Sequence, residues 1–316
     1  MQVEGPYGDR DSAARYKSFM TSASPDPDER LRLDSYEADI QPLVASDRDL
    51  LHALTVSVFW PHRASDHDML LSLGKGYIAR DEIGRPLGSG MYFLSGEDFA
   101  MLGMMATTPR LQTQGVGREL LRRILLDCEG RDIRLTATRS GFRLYRDAGF
   151  EIVATIWQQQ GIARLAHLPA PVAGLEVRPS EPADHEAIGA LDTRAYGADR
   201  RVTRAALLRE STGIVALRDG VVSGFALARP FGKGTVIGPV VAEDDQMAMQ
   251  LCAPLIRQHE GGFVRMDTPQ QSEHFKAFLA AAGLGVFDTT TEMRIGRQRR
   301  AETGAILYGL AAHSLG

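Results

Sequence analysis

The stretch Met101–Arg123, MLGMMATTPRLQTQGVGRELLRR, holds the densest set of residues suited to chemistry. Gln112-Thr113-Gln114-Gly115-Val116-Gly117-Arg118 follows a strand-like run, Phe99–Thr107, and opens an amphipathic one. Two near-adjacent glycines at a strand-to-helix junction let several backbone N–H groups converge, and the helix dipole adds positive potential there. Such a junction suits a pyrophosphate. A Walker loop would need Gly-Lys-Ser/Thr, whereas Gly117 is followed by Arg118 and Glu119. A dinucleotide fingerprint would need a third glycine where Leu120 stands. A tight turn before a core helix stays open beside the pyrophosphate reading. Further along, Tyr145 lies in a short helical run, Gly141–Phe150, closed by Gly149 as its C-cap.

The string Gln112-Thr113-Gln114-Gly115-Val116-Gly117 resembles the Gln/Arg-x-x-Gly-x-Gly/Ala motif of the GNAT acyltransferases, and Met104-Met105-Ala106-Thr107 resembles the strand before it. Leu144-Tyr145-Arg146-Asp147-Ala148-Gly149-Phe150 resembles the superfamily's second signature, in order and about one helix and one strand later. The resemblance implies transfer of an acyl group from acyl-CoA to an amine without a covalent enzyme intermediate. It assigns cofactor binding to Gln112, Thr113, Gln114, Gly115, Val116, Gly117 and Arg118, with the strand edge at Met105, Ala106 and Thr107 pairing with the pantetheine amides. A backbone N–H near Met105 or Ala106 would stabilise the thioester oxygen, and Tyr145 would be the general acid. For the base, Asp98 leads, with Glu97, His62, Asp66 and His67 as further candidates, each also readable as a solvated turn residue. Trp60 and His62 lie where related enzymes line the acceptor site, and Trp60 also reads as core.

Composition sets the outer bounds. At 316 residues the chain has room for two domains, and 44% hydrophobic with 24% charged residues is ordinary for a globular protein. A net charge of −4 gives no bulk attraction to nucleic acid or anionic membrane. Arg118, Arg122 and Arg123 suit a polyanionic cofactor or a solvated helix face. Cys128 and Cys252 stand among aliphatic residues without zinc-ligand spacing, so no metal is expected. No apolar run has membrane-spanning length and no signal-peptide core is present, which makes a cytoplasmic enzyme the default.

Patterning divides the chain into a mobile or loosely docked extension (1–34), a catalytic domain (35–166), a Pro/Gly-rich linker (167–174) and a second domain (175–316). The second domain echoes the first. Ile214–Gly220 matches the Tyr77–Asp81 strand and its turn, Ile237–Ala242 matches Leu102–Thr107, and Leu279–Leu284 matches Tyr145–Phe150. Yet Glu243-Asp244-Asp245 replaces the glycine loop and Leu279 replaces the tyrosine, so this half reads as degenerate. The fold class expected is α/β (α+β), as tandem GNAT folds, each a mixed, mostly antiparallel twisted sheet flanked by helices. The expected function is acetyl transfer from acetyl-CoA to a primary amine of a small molecule. A non-catalytic acyl-CoA-binding sensor and a protein N-acetyltransferase are the rivals. The second half either walls off the cleft or forms a subunit contact, as in a homodimer.

Overall fold

Strand-forming residues dominate the first half from Tyr36 onward, and glycines at positive φ, such as Gly84 and Gly96, turn the strands back on themselves. The structure, a computed structural model, describes residues 11–21, 31–33, 36–109 and 115–316. The first half runs α1 (Ser12–Thr21), β1 (Leu31–Leu33), β2 (Tyr36–Pro42), α2 (Arg48–Ser57), α3 (Ala64–Leu73), β3 (Lys75–Arg80), β4 (Pro86–Ser95), β5 (Phe99–Thr107), α4 (Val116–Asp127), β6 (Asp132–Ala137), α5 (Phe142–Asp147) and β7 (Glu151–Ile162). The second repeats it: β8 (Leu175–Pro179), α6 (His185–Tyr196), α7 (Arg201–Glu210), β9 (Thr212–Arg218), β10 (Val221–Phe231), β11 (Gly234–Ala242), α8 (Asp245–Gln258), β12 (Phe263–Thr268), α9 (Glu273–Ala281) and β13 (Gly285–Ile295). One further strand, β14 (Ile306–Gly309), has no counterpart among the described residues of the first half.

Contacts divide the chain into two units, but not at 167–174. One comprises Met1–Ala154 with Thr291–Arg297, the other Thr155–Thr290 with Gln298–Gly316. Both divisions fall inside strands, because each unit completes its sheet with a strand segment from the other half of the sequence. In the N-terminal unit β2 to β5 are antiparallel neighbours, β5 and β6 are parallel, and Thr291–Ile295 of β13 closes on β6. In the second unit β8 to β11 are antiparallel, β11 and β12 are parallel, and Trp157–Ile162 of β7 closes on β12. A parallel pair needs a crossover, which α4 and α8 supply.

Helix α4 buries the stripe Val116, Leu120, Leu121, Ile124 and Leu125, as its spacing predicts. Two expectations about chain ends of elements need correction. The Ser12–Thr21 segment is not a loose extension: it is a helix that buries Phe19 in the cluster containing Leu121, Leu125 and Tyr145. Burial of one such aromatic is worth roughly 1.5–3 kcal/mol, enough to hold a short helix with weak amphipathicity of its own. Helix α2 stops at Ser57, short of the Asp47–Trp60 span that Leu50, Leu51, Leu54 and Val58 on one face predict, since Trp60 N–H returns to the Thr55 carbonyl (2.8 Å) and Phe59 turns left-handed (φ 60). No helix among the described residues is long and apolar enough to cross a membrane.

Candidate active site

In the N-terminal unit β5 and β6 pair at one end and separate at the other. Their parallel ladder runs from Phe99↔Asp132 to Leu102↔Leu135, and among the described residues goes no further. Beyond Leu102 the strand is held on one side only, by β4, through Met91↔Gly103, Ser89↔Ala106 and Gly88↔Thr107. The register slips by one residue between these pairs, and Met104 takes φ 53 to absorb it. Such a bulge re-aims the backbone locally. Ser89 Oγ donates to the Met104 carbonyl at 2.8 Å and pins it. The edge of Met105–Thr107 that faces away from β4 is thus a row of backbone groups beside a gap. The Met105 side chain itself packs against the core.

Helix α4 begins at the same end. Gly115 caps it in the left-handed region (φ 97), which its glycine permits at no steric cost. Gly117 is different. A Cβ there would meet Thr107 Cγ2 at 3.5 Å and Leu144 Cδ2 at 3.6 Å, ordinary contacts, so neither packing nor backbone demands glycine. Gln112, Thr113 and Gln114 lie outside the described residues. Of the three arginines, Arg118 is exposed and stacks over Phe19 (4.5 Å), whereas Arg122 and Arg123 hold the buried Glu119 at 2.9 and 3.0 Å. The last two are neither a solvated face nor poised for a polyanion.

Tyr145, on α5, is buried in the cluster that contains Leu102, Leu121 and Leu135, edge-on to Phe150 at 5.8 Å between centroids. Gly149 (φ 89) closes this helix as expected. Burial pushes the Tyr145 phenol well above its ordinary value, so it remains a donor throughout the neutral range.

The base candidates are placed elsewhere. Asp98 stands at the closed end of β5, roughly 20 Å along the strand from Met104 at about 3.3 Å per residue. There it pairs with Arg297 (3.3 Å), which also binds Asp132 (3.0 Å). Glu97 is exposed in the same turn. Asp66 is spent at the start of α3, accepting from Arg63 N–H at 2.8 Å and from its side chain at 3.1 Å. Trp60, His62 and His67 do come together: Trp60 and His62 rings lie 6.0 Å apart, and His62 stacks on His67 at 5.3 Å. His52, which sequence reasoning missed, joins them edge-on to His67 at 5.6 Å. It sits on the predicted α2, where its spacing from His67 gives no hint of contact. Burial, then the neighbouring His52, lowers the His67 pKa to about 4, and its Nε2 lies 3.2 Å from Thr55 Oγ1. No group of three or more metal-ligating side chains suited to an ion occurs among the described residues.

Models of the acetyltransferase (GNAT) domain match both halves, over residues 72–152 and 188–309. The chain is a tandem GNAT protein. It is 23% identical over 264 residues to the uncharacterized N-acetyltransferase YitH of Bacillus subtilis, covering 81% of this chain and 91% of that one. A proposed acetyltransferase from Pyrococcus horikoshii superposes with a TM-score of 0.72 at 20% identity, over 91% of this chain and 98% of its own. A tandem GNAT protein from the clavulanic acid biosynthesis pathway gives 0.59 at 17% identity, over 83% and 100%. These structural likenesses speak for the fold.

The two GNAT units differ at the opening. In the second unit β11 also leaves β12 early, after Thr235↔Val264 and Val236↔Arg265, and carries the same one-residue slip. There β14 lies against the freed edge, pairing Val240↔Gly309, Val241↔Leu307 and Ala242↔Ile306. Leu310 N–H then bonds the Asp267 carbonyl of β12 at 2.8 Å, so the chain spans the gap. The start of α8 is equally taken: Asp244 caps it through Met247 N–H (2.8 Å) and Tyr308 donates to Asp245 (2.8 Å). Paired backbone and two carboxylates stand where the first unit has glycines and an edge unpaired among the described residues.

Proposed function

We propose that the N-terminal GNAT unit transfers an acetyl group from acetyl-CoA to a primary amine of a small molecule by direct attack, with Tyr145 as general acid. The observation that carries this is the β5 edge at Met105–Thr107, unpaired among the described residues, near a glycine, Gly117, that the described packing does not require. Backbone groups of Met105, Ala106 and Thr107 would hold the pantetheine arm, and Gln112 to Arg118 the diphosphate. Bound there, acetyl-CoA supplies an activated acetyl carbon on a thiol leaving group. The bulge at Met104 re-aims the backbone here, and a backbone donor facing the carbonyl oxygen would contribute ~2.7–4 kcal/mol. As the amine nitrogen bonds to the acetyl carbon and the carbon–sulfur bond breaks, Tyr145 Oη donates its proton to the departing sulfur. A phenol with a raised pKa is a weak acid, so this proton must be replaced from the attacking nitrogen as it leaves.

The retained, buried Tyr145 favours an enzyme over a pure acyl-CoA sensor, which has no use for a proton donor. A screen of primary amines by thiol release tests the reading. Tyr145→Phe should lower the rate about 10²–10⁴-fold and leave acetyl-CoA affinity unchanged; an unaltered rate removes the tyrosine from the mechanism.

A further inference from the structure

We propose that Glu292, which the second half of the sequence contributes to the N-terminal sheet, is the base that takes the proton from the acceptor's ammonium group. The inference rests on the acetyl-transfer reading above. It starts from register. Glu292 pairs with Thr136, and Thr136 is the first β6 residue beyond the last β5–β6 pair, Leu102↔Leu135. Directly opposed residues of antiparallel strands share a face, so the Glu292 carboxylate and the Thr136 hydroxyl stand together at the foot of the opening. Their neighbours Met293 and Leu135 point into the cluster that contains Tyr145. Alternation along the strands therefore puts Glu292 and Thr136 on the opposite face. A proton acceptor on one side of the gap and a proton donor on the other is the arrangement that direct attack requires.

Glu292 is fully buried, which a carboxylate rarely is without compensation. Arg134 provides it from 3.7 Å, a distance for charge pairing and long for a hydrogen bond, with its guanidinium over Phe99 at 5.1 Å. Arg294, two residues along β13, is engaged with Glu151 at 3.0 Å. The Thr136 hydroxyl is buried and has no hydrogen-bond partner among the described residues. Buried polar atoms are ordinarily satisfied, so an unmet one beside a gap marks room for a group that is bound there.

The second unit offers an internal control. Its exchanged strand carries Gln158 opposite Asp267, the pair that corresponds to Glu292 opposite Thr136. An amide cannot take a proton, and the carboxylate has moved to the central strand, where Arg265 (2.8 Å) and His313 (3.4 Å) hold it. The unit filled by β14 has lost the glutamate; the unit with the free edge has it.

In the step itself, one ammonium N–H bond breaks and an O–H bond forms on the Glu292 carboxylate. Cation and anion become a neutral amine and a neutral acid. Thr136 Oγ1 accepts a second N–H of the same nitrogen and so directs its lone pair toward the acetyl carbon. The acid returns its proton to water after the acetylated product leaves.

The test is Glu292→Gln, assayed with the amine that the screen returns. The rate should fall about 10²–10⁴-fold at neutral pH, and the deficit should shrink as pH rises and more of the amine is already uncharged. Acetyl-CoA affinity by calorimetry should stay within about twofold, and Glu292→Asp should recover part of the rate. A Glu292→Gln enzyme with an unmoved pH–rate profile would overturn the assignment, leaving the Arg134 pair as a strand clamp. So would an active Arg134→Leu/Glu292→Leu enzyme, which keeps the packing and removes the charges. Either result leaves acetyl transfer standing, whereas a wild type that fails to bind acetyl-CoA would remove both.

Discussion

Gly117 and Gly115 sit two residues apart, and their glycines answer to different demands. Gly115 is fixed by its backbone: φ 97 costs a side-chain-bearing residue roughly 1–2 kcal/mol. Gly117 has ordinary space for a Cβ and no such φ, so Gly117→Ala should fold with a stability within about 1 kcal/mol of wild type. The same substitution should weaken acetyl-CoA binding, because the methyl enters the diphosphate's wall. Thermal unfolding and calorimetry on the pair Gly115→Ala and Gly117→Ala separate the two: the first loses stability, the second affinity. A Gly117→Ala protein that binds normally would reduce the loop to a turn. Glycine as a letter is silent about which of these demands placed it. The same holds for Arg122 and Arg123, whose run suggested a basic face. Their engagement with the buried Glu119 follows from three- and four-residue spacing that sequence does show, but the burial of Glu119 is a tertiary fact.

At the scale of elements, the segments whose signal is local were legible. The Phe99–Thr107 strand, the α4 stripe and the Gly149 cap each rest on periodicity or on one residue's conformational freedom, and each stands where expected. What escaped depends on distant pairing: the α1 helix docking Phe19, the exchange of Thr291–Ile295 onto β6, and β14 in the second opening. No window of residues encodes those choices, since the alternation along β13 is equally served by either neighbour. The packing of α2 against α3 carries a pH prediction. His67 is lowered to about 4, first by burial and then by His52, from an unfolded value near ~6.5. Within that window the unfolded chain binds the proton and the folded one resists it. Stability therefore falls as pH drops from ~6.5 toward 4, and is flat with respect to this group above and below. Thermal midpoints across pH 5–7 should show the slope in the wild type and a weaker one in His67→Phe. Equal slopes would mean that the histidine cluster accepts protons without cost.

For the whole molecule, two GNAT units differ in one opening: in the second, β14 lies on the β11 edge, and in the first the β5 edge is unpaired among the described residues. Asp267, although burial opposes its ionisation, is held below the usual carboxylate range by Arg265 and His313, next to the carbonyl that receives Leu310. A strand that satisfies the β11 edge through three residue pairs competes at very high effective concentration with any pantetheine arm. A single functional cofactor site per chain is therefore expected, in the N-terminal unit. Glu243-Asp244-Asp245 and Leu279 mark where the second unit departs from the first in sequence, but the strand that lies on its β11 edge is not legible there. The most direct measurement is calorimetric titration of the intact chain with acetyl-CoA, beside the Gly117→Asp variant. The account predicts one equivalent bound by the wild type and none by the variant, which places a carboxylate in the diphosphate cradle. Two equivalents, or one that survives Gly117→Asp, would contradict it.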